Sequence, residues 1–563
     1  MLLTSLKQFC DSVRTGKQPA RRRARLRRAC AGRACAADVL ESRLLLAATL
    51  WVDPAHAGNY TSISSAVAAA VPGDTIKVVP GIYNESVTIP SSLTNLTILG
   101  GQAQFAGQKG ASIVESDGIA IAIEANDVTI KGFTAEPATS AGVQNADGIE
   151  IASGASGDSI LNNTVVDEDE GIVAYDVANV TGDVISGNTV EGSIYGIFVF
   201  GTGSGNVTIS GNTVDDNGQN TQGGGITVVT NGSALISGNT ANHNYSAAIT
   251  VADGIAANVV GNTADNTGGI DGLAGGGTGI IVDDGPGSAS VADNTTNGNE
   301  NGVSVDTTTA LVTGNTANNN SGFGFGIVTA ASSTTTANTA KGNGDGLFVD
   351  SATATVDGNT ASNNIAGASV YTTGQATVLD NTTNKNVFGL EVSSGSETVT
   401  GNTANSNSRI GIYVDGGPGT VSNNTANSNL GSPAEGGAGL EIVGSVTTVT
   451  NNTANNNQAD GVLLDNLNGA TISDNTAKDN GDNGIDVSNS NDNTLSGNTA
   501  NGNLNDGIVA ENGSSGNVIT MNTAVKNVTY DLADTSTGGT GTAGTLNTWT
   551  DNTAHTANPA GLL

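Results

Sequence analysis

Short apolar segments alternate with polar residues along most of this chain, and they recur at a regular interval. One segment has the form Thr-Ile-Ser, as at residues 471–473, and another has the form Gly-Ile-x-Val, as at residues 411–414. Apolar side chains at every second position indicate β-strands that bury one face. The pattern therefore predicts two short strands in each repeating unit.

A set of Asn-Thr pairs marks the repeat. Seventeen of these pairs stand mostly 21 to 25 residues apart. Their asparagines are Asn163, Asn188, Asn212, Asn239, Asn262, Asn294, Asn315, Asn338, Asn359, Asn381, Asn402, Asn424, Asn452, Asn475, Asn498, Asn522 and Asn552. The segments between the strands are rich in Gly, Asn, Asp, Ser and Thr, which oppose helices and favour turns. The sequence therefore predicts an all-β solenoid of about 20 stacked coils, in which asparagine amides bond from one coil to the next.

The segment before the repeats has a different pattern. Ile63, Ala66, Val67, Ala70 and Val71 fall on one side of a helix when plotted at helical spacing. A helix here would cover the apolar core and the unpaired strand edges at the start of the first coil. The pattern therefore predicts a short N-terminal capping helix.

The opening segment at residues 60–83 and the asparagine-containing coils resemble the right-handed parallel β-helix of the pectate-lyase-like superfamily, in its secreted bacterial form. The resemblance implies a single-stranded right-handed parallel β-helix, that is, one wound by a single polypeptide chain. Each coil of such a helix contains three β-strands. We expect an N-terminal cap at residues 51–100, Asn-Thr repeats at 160–525 and a C-terminal cap at 526–563, which contains Trp549. The resemblance specifies the fold more closely than the activity, because one fold hosts many functions.

Residues 1–47 differ from the rest in composition. They contain eleven Lys and Arg, three acidic residues and all three cysteines. Residues 40–48 resemble a leader element of large secreted bacterial β-rich proteins. We therefore expect residues 1–47 to be a basic leader or export segment, and residues 48–563 to be the β-helix of a secreted or cell-surface protein. A basic arm that binds nucleic acid is the alternative, and the apolar run at 44–52 is too short for a transmembrane span.

Residues 48–563 are strongly acidic, with eight Lys and Arg against 49 Asp and Glu and hence a formal charge of −41. This charge repels nucleic acid and acidic polysaccharides. A polyuronate, on which many relatives in the superfamily act, would need a divalent cation or a local basic groove to bind. The expected partner is an extracellular polysaccharide or other cell-surface material, and not a nucleic acid.

Acidic residues recur beside the Gly-Ile-x-Val strands. Asp283 and Asp306 occupy matching positions in adjacent coils, so their carboxylates are expected about one strand spacing apart. Together with Asp284 they offer the oxygen ligands that calcium prefers. The sequence therefore marks these three residues as a candidate calcium site. The alternative is that they are solvated residues in turns that favour Asp.

Cations are scarce in residues 48–563, and Arg409 is the only arginine there. Lyases of the superfamily use an arginine or a lysine as the base, beside carboxylates that hold calcium. On that resemblance the candidate catalytic residues are Lys385, Arg409 and Asp415, with Glu391 and Tyr413 near them. No lyase motif surrounds them and the hydrolase motifs of the superfamily are incomplete, so surface charges that promote solubility are the alternative.

Three coils are lengthened between the Asn-Thr pair and the following Gly-Ile strand, at residues 215–225, 265–279 and 430–439. The insertions are therefore expected at one corner of the solenoid, where loops commonly form a binding surface. Aromatic residues, which stack against sugars, are few. Those near the Gly-Ile strands are expected in the core, with outward-facing rings as the alternative: Tyr195, Phe198, Phe200, Phe323, Phe325, Phe348, Tyr371, Phe388 and Tyr413.

Two functions remain open from the sequence. The first is a secreted or cell-surface β-helix rod with a structural, adhesive or carbohydrate-binding role and calcium as a candidate cofactor. The second is a polysaccharide-modifying enzyme, either a lyase, a C5-epimerase or a hydrolase, with a diverged active site. The regular coils, the scarcity of cations and the lack of a complete catalytic motif favour the non-enzymatic role.

Overall fold

The computed structural model describes residues 47–138, 146–176, 182–201, 205–218, 223–252, 254–268, 277–283, 285, 287–431 and 437–563. In these residues the chain forms an all-β solenoid of about 21 right-handed turns, in which strands of neighbouring coils pair in parallel. The predicted parallel β-helix is therefore confirmed. The predicted leader lies outside the described residues, except for residue 47.

Each coil contributes up to three strands, which stack on those of the neighbouring coils to form three faces. The first face consists of the strands that precede the Asn-Thr pairs or their equivalents. Its strands are Thr49–Val52, Thr75–Val78, Thr97–Leu99, Thr129–Lys131, Ser159–Leu161, Asp183–Ser186, Asn206–Ser210, Ser233–Ser237, Ala256–Val260, Ser288–Ala292, Gln375–Leu379, Ser396–Thr400, Thr420–Ser422, Thr448–Thr450, Thr471–Ser473, Thr494–Ser496, Val518–Thr520 and Thr548–Thr550.

The second face consists of the Gly-Ile-x-Val strands and their equivalents. Its strands are Val87–Ile89, Ile121–Ile123, Asp147–Ile151, Glu170–Asp176, Tyr195–Gly201, Gly224–Thr230, Ala247–Ala252, Thr278–Asp283, Ala366–Thr372, Phe388–Ser394, Ile412–Gly416, Leu440–Gly444, Val462–Asp465, Ile485–Ser488, Ile508–Ala510, Leu532–Asp534 and Ala557–Asn558. Three longer strands run from the second face into the first face: Asn301–Thr313, Phe323–Thr336 and Asp345–Asp357.

The third face consists of short strands, most of which begin at the threonine of an Asn-Thr pair. They are Gly81–Asn84, Ser112–Ser116, Phe133–Pro137, Thr164–Val166, Thr189–Glu191, Thr213–Asp215, Thr295–Asn297, Thr316–Asn318, Thr339–Lys341, Thr360–Ser362, Thr382–Asn384, Thr476–Lys478 and Thr499–Asn501. Single bridges between threonines, such as Thr403 to Thr425, continue the face where a coil has no full strand.

The core lies between the three faces. Side chains alternate along each strand, so that Val207 and Ile209 are buried while Thr208 between them is partly exposed. Ile185, Ile209 and Ile236 occupy matching positions in three successive coils. Each fully buried side chain of this size contributes about 1.5–3 kcal/mol, and only the stacking of coils removes it from water.

The asparagine ladder is continuous from Asn163 to Asn552. At each step a side-chain oxygen accepts hydrogen bonds from the backbone N–H and the side-chain amide of the asparagine one coil earlier. Asn424 Oδ1 accepts from Asn402 in this way, at 2.9 Å and 3.0 Å. Asn402 Nδ2 also donates to the carbonyl of Val378 at 2.9 Å. The ladder therefore satisfies the polar groups of a buried turn in every coil.

A second ladder, which the sequence analysis did not identify, lies five residues after the first. It joins Asn299, Asn320, Asn343, Asn364, Asn386, Asn407, Asn429, Asn457, Asn480, Asn503 and Asn527 in successive coils. Three earlier coils carry other buried residues at this position, namely Glu168, Ser193 and Thr267. The first ladder therefore holds the corner between the first and third faces, and the second ladder holds the corner between the third and second faces.

The predicted capping helix spans Ile63–Ala69, and its apolar side is buried. Ser62 caps the N-terminus together with Ser65 in a capping box. The carboxylate of Glu85 accepts hydrogen bonds from the first backbone N–H groups of the helix, at 2.7 Å and 2.9 Å. Val71, which was expected on the buried side, lies beyond the end of the helix and is 38% exposed.

Candidate functional site

Aromatic side chains form a staggered row on the outer side of the second face: Phe348 and Tyr413 share one register position, Phe323 and Phe388 stand three residues before it, and Tyr371 stands two residues after it. Five successive coils each contribute one ring, from Phe323, Phe348, Tyr371, Phe388 and Tyr413. The ring centroids of Phe323 and Phe348 are 5.5 Å apart, and those of Phe348 and Tyr371 are 5.7 Å apart. Because neighbouring coils are about 4.8 Å apart, the row spans roughly 19 Å.

These five rings had been expected in the core by default, and the structure corrects that expectation. Side chains alternate along a strand, and the inward positions of these coils are held by residues such as Phe325, Leu347 and Val349, all fully buried. All five rings lie outside the core. Phe348, Tyr371 and Tyr413 occupy outward positions of their strands, whereas Phe323 and Phe388, at 36% exposure, lie at the corner where the strand begins. Of the aromatic residues in these coils, Phe325 alone packs in the core.

A pocket of about 270 Å³ lies at the C-terminal end of the row. It is lined by Phe388, Gly389, Leu390, Glu391, Ile410 and Tyr413. Glu391 lies directly beside Tyr413 of the next coil in the strand register. The pocket therefore presents apolar ring surface next to a carboxylate.

Two further side chains approach the pocket from neighbouring positions. Tyr371 lies near Glu391, and burial together with the charge of Glu391 raises the pKa of Tyr371 to about 12. The guanidinium of Arg409 lies over the ring of Phe388, 5.2 Å from its centroid, where the ring quadrupole attracts it. Glu391, Arg409 and Tyr413, which the sequence analysis grouped, therefore meet around one ring.

The surroundings of the pocket are anionic. Glu441 follows Tyr413 in the next coil, and burial together with Asp465 raises the pKa of Glu441 to about 7. The Oε2 atom of Glu441 is buried and has no hydrogen-bond partner among the described residues. Burial and the nearby charge of Asp415 also raise the pKa of Tyr413.

The other two candidate catalytic residues lie apart from the pocket lining. Lys385 is exposed in a turn with a φ of 61°, and it forms no ion pair within the part of the chain that the structure describes. Asp415 is exposed near the end of the strand Ile412–Gly416. Catalytic roles for Lys385, Arg409 and Asp415 remain predictions.

The acidic residues proposed for calcium are partly brought together. Asp283 and Asp306 pair in register on adjacent coils, and both are exposed. Asp284 lies outside the described residues. Within the described ranges, no three or more His, Cys, Asp or Glu side chains are grouped so as to hold a metal ion. The calcium site remains a prediction.

The three insertions leave from the corner between the third and second faces, as their spacing predicted. The first, for example, connects the third-face strand Thr213–Asp215 to the second-face strand Gly224–Thr230. Part of each insertion lies outside the described residues.

A second group of rings lies on the same face, nearer the N-terminus. Tyr195, Phe198 and Phe200 follow one another along a strand, with ring centroids 5.2 Å and 6.4 Å apart. Tyr175 of the preceding coil lies edge-on to Phe198, and its hydroxyl donates a hydrogen bond to Glu170 at 2.5 Å. Four coils without an outward ring separate this group from the row that begins at Phe323.

Carboxyl groups beside this second group are buried, and the sequence analysis missed the most buried of them. Burial and neighbouring acids raise the pKa of Asp147 to about 7 and that of Glu168 to about 8. Both carboxyl oxygens of Glu168 are buried and lack a hydrogen-bond partner within the described residues. The signal was present in the sequence, since Glu168 stands five residues after Asn163, where most later coils have an asparagine.

No helix in the described part of the chain combines the length and the apolar character that a membrane span requires.

Comparison with known proteins identifies two matching family models. The family described as "Right handed beta helix region" matches residues 117–295 and 388–555. The family described as "Periplasmic copper-binding protein (NosD)" matches residues 273–430. A comparison with curated proteins found no match.

Several solved structures resemble the chain. A pectate lyase, Pel9A, is 14% identical over 64% of this chain and 79% of its own, with a TM-score of 0.28. A pectin methylesterase in complex with a hexasaccharide is 12% identical over 46% of this chain and 80% of its own, with a TM-score of 0.27. An alginate lyase of family PL6, AlyGC, is 10% identical over 90% of this chain and 100% of its own, with a TM-score of 0.23. Similarities at this level say nothing about the activity of the chain.

The first family model covers more than half of the chain, and the stacked coils of the structure agree with it. The chain belongs to the right-handed β-helix family.

Proposed function

We propose that this protein binds glycan chains along the outer side of its second face, with the pocket at Phe388, Glu391 and Tyr413 as the central subsite. The observation that carries the proposal is the row of five rings outside the core, one per coil, that leads into this pocket. Pyranose rings have apolar faces that stack on aromatic side chains. A repeating ligand fits a surface that repeats at every coil.

The polar groups of the pocket supply the orientation that stacking lacks. The carboxylate of Glu391 lines the pocket, where it accepts hydrogen bonds from sugar hydroxyls. The stacking of coils does not require a pocket on this face. A ligand that fills the pocket and covers the exposed rings gives the pocket a purpose. Exposed rings of this kind cost solubility, so binding is a physical reason for their presence on an outer surface.

We place the protein outside the cytoplasm, where such glycans occur. The basic segment at residues 1–47 supports export, and one of the matching families is described as periplasmic. The same family is described as copper-binding, but its matched region, residues 273–430, contains no His, Cys or Met. These are the ligands that copper prefers, so the residues present do not fit a copper site of that kind.

The proposal is tested with the full-length protein and a panel of neutral and acidic polysaccharides, by isothermal titration calorimetry with calcium and with a chelator. Phe388→Ala and Tyr413→Ala are expected to weaken binding about tenfold each, since a stacked ring contributes on the order of 1 kcal/mol. Phe105→Ala, which removes an exposed ring outside the second face, is the matched control. Equal affinities of all variants would contradict the proposal, as would a folded protein that binds no glycan.

The same panel tests the enzymatic alternative. Unsaturated uronate absorbance would reveal a lyase, and new reducing ends would reveal a hydrolase. If turnover is found, Lys385→Ala and Arg409→Ala test the predicted catalytic residues, with circular dichroism to verify folding. A rise in unfolding temperature with calcium would support the predicted calcium site, because ligand binding stabilises the folded state by mass action.

A further inference from the structure

Charges are segregated among the three faces of the β-helix. The strands of the second face contain no Lys or Arg in the described residues. Lysines occur instead on the first face, at Lys77 and Lys131, between strands at Lys109, and on or just after the third face, at Lys341, Lys385, Lys478 and Lys526. Acidic residues continue along the second face through the pocket region, at Asp345, Asp350, Glu391, Asp415, Glu441 and Asp465.

The strand register places these acids among the rings. Glu391, Tyr413 and Glu441 follow one another in three successive coils. Asp350 pairs with Tyr371, and Asp415 occupies the same register position two coils after Tyr371. A ligand that stacks on the rings therefore has carboxylates within about one or two strand spacings of each sugar unit. An ammonium group on that ligand would be attracted at every unit.

One carboxyl at the pocket is short of a donor. Glu441 Oε2 is buried and lacks a hydrogen-bond partner within the described ranges, and the next acid along, Asp465, lies close enough to disfavour its ionisation. An ammonium group supplies both a proton donor and a positive charge, whereas a sugar hydroxyl supplies only the donor. The pocket already holds one cation against an aromatic ring, the guanidinium of Arg409 over Phe388.

We propose that the glycan bound by the second face is cationic: a polymer of amino sugars with free amine groups. This inference rests on the proposed function and specifies its ligand. A polyuronate has the opposite charge and meets a surface without lysine or arginine on its strands. A basic peptide is the other cationic candidate. It is disfavoured because the second-face strands are paired on both sides by neighbouring coils, so a peptide finds no free edge for β-strand addition.

The test compares two oligosaccharides that differ only in charge, a β-1,4-linked glucosamine oligomer and its fully N-acetylated form. Binding to the full-length protein is measured at mildly acidic pH, where the amines carry protons, and at low and high salt. We expect the free-amine oligomer to bind at least tenfold more tightly, and salt to reduce the difference.

Variants that replace carboxylates by amides show which acidic residues give rise to the preference for the free amine. The triple variant Asp350→Asn, Glu391→Gln, Asp415→Asn is expected to lose the preference for the free amine. A matched triple variant, Asp293→Asn, Asp380→Asn, Asp474→Asn, removes the same charge from turns before the first ladder. These three residues have φ between 51° and 57°, a conformation that asparagine also adopts in this chain, so folding is preserved. The control is expected to keep the preference.

The outcomes separate the two proposals. If neutral glycans or the acetylated oligomer bind as well as the free amine, the cationic ligand is overturned while glycan binding stands. If no glycan binds to the folded protein, both are overturned. Tighter binding of a lysine-rich peptide than of the glucosamine oligomer would overturn the amino-sugar ligand in favour of a basic peptide.

Discussion

The molecule has two regions that differ in how much the residue type varies from coil to coil. One consists of the two corners with the asparagine ladders, and the other is the outer side of the second face. At the first ladder the same residue recurs in every coil from Asn163 to Asn552, bonded in the same way and buried in every coil but the last. On the outer side of the second face the residue changes from coil to coil, and rings and carboxylates are grouped in particular coils. The repeated positions account for stacking, and the variable positions account for what the stack recognises. The following four predictions test that division.

The largest expected effect is on stability at the first ladder. Asn402→Leu removes two bonds accepted from Asn381 and those donated to Val378 and Asn424, and leaves their buried partners unsatisfied. We expect the free energy of unfolding to fall by about 4 kcal/mol. Asn405→Leu, at a partly exposed position three residues later, is the control: it removes one side-chain hydrogen bond, which Asn405 accepts from the backbone N–H of Asn427, and should cost less. Equal losses in urea denaturation would contradict the special role of the ladder.

The next effect concerns pH, because several carboxyl groups are buried inside the coils. Burial and neighbouring acids raise the pKa of Asp158 and of Glu168 to about 8 and that of Asp486 to about 9. Their ordinary values are 3.8 for Asp and 4.5 for Glu, so the folded state binds more protons than the unfolded state. The stability that these three carboxyl groups contribute in their protonated form is therefore fully present below about pH 4 and is lost as the pH rises to about 9. Thermal denaturation between these limits should show a falling melting temperature; a rising one would contradict the account.

A smaller and opposite effect is expected where a ladder position is filled by the wrong residue. Glu168 occupies the position of the second ladder but has no partner for either carboxyl oxygen among the described residues. Glu168→Asn should raise the free energy of unfolding by about 1 kcal/mol near pH 8, and by less near pH 5, where the glutamate is protonated. Glu191→Gln, an exposed acid on the third face, is the control. Destabilisation by Glu168→Asn at both pH values would indicate another role for this carboxyl group.

The smallest effect on stability is expected at the second face. Tyr413→Ala removes a partly exposed ring and should lower the free energy of unfolding by about 1 kcal/mol or less. The same change is the one expected to weaken glycan binding about tenfold. A loss of stability comparable with that of Asn402→Leu would mean that the ring is part of the packing and not of a binding surface.

The sequence predicted the stacking of coils well because one repeated polar residue marks it. Asn402 and its equivalents recur at nearly the same interval in every coil. This regular recurrence of one polar residue predicts the ladder directly. The second ladder has an equally regular signal, since Asn407 and Asn429 stand five residues after Asn402 and Asn424. Threonine does not follow these asparagines, so the Asn-Thr pairs do not mark them. The third strand has a weak pattern because its inward residue is a small alanine, such as Ala340, between polar neighbours.

The candidate site could be predicted only in part. Glu391, Arg409 and Tyr413 were grouped from their positions in adjacent coils, and they do meet at the pocket. The row of rings could not be found in that way, because inward and outward positions differ by a single residue along a strand. Leu347 and Phe348 illustrate this: the first is fully buried, and the second, one residue later, is partly exposed on the outer surface.

The ladders also have a polarity. In each ladder the side-chain oxygen faces the preceding coil and the amide faces the following one, so the amide dipoles are aligned like the peptide dipoles of an α-helix. The positive end of such a row lies at the C-terminal coils. At the end of the second ladder the amide of Asn527 donates to the carboxylate of Asp531 at 3.0 Å. Hydrogen bonds keep the pKa of Asp531 low, so this carboxylate stays ionised over a wide pH range. The last coils are thus closed electrostatically, as acidic residues close the N-terminus of a helix.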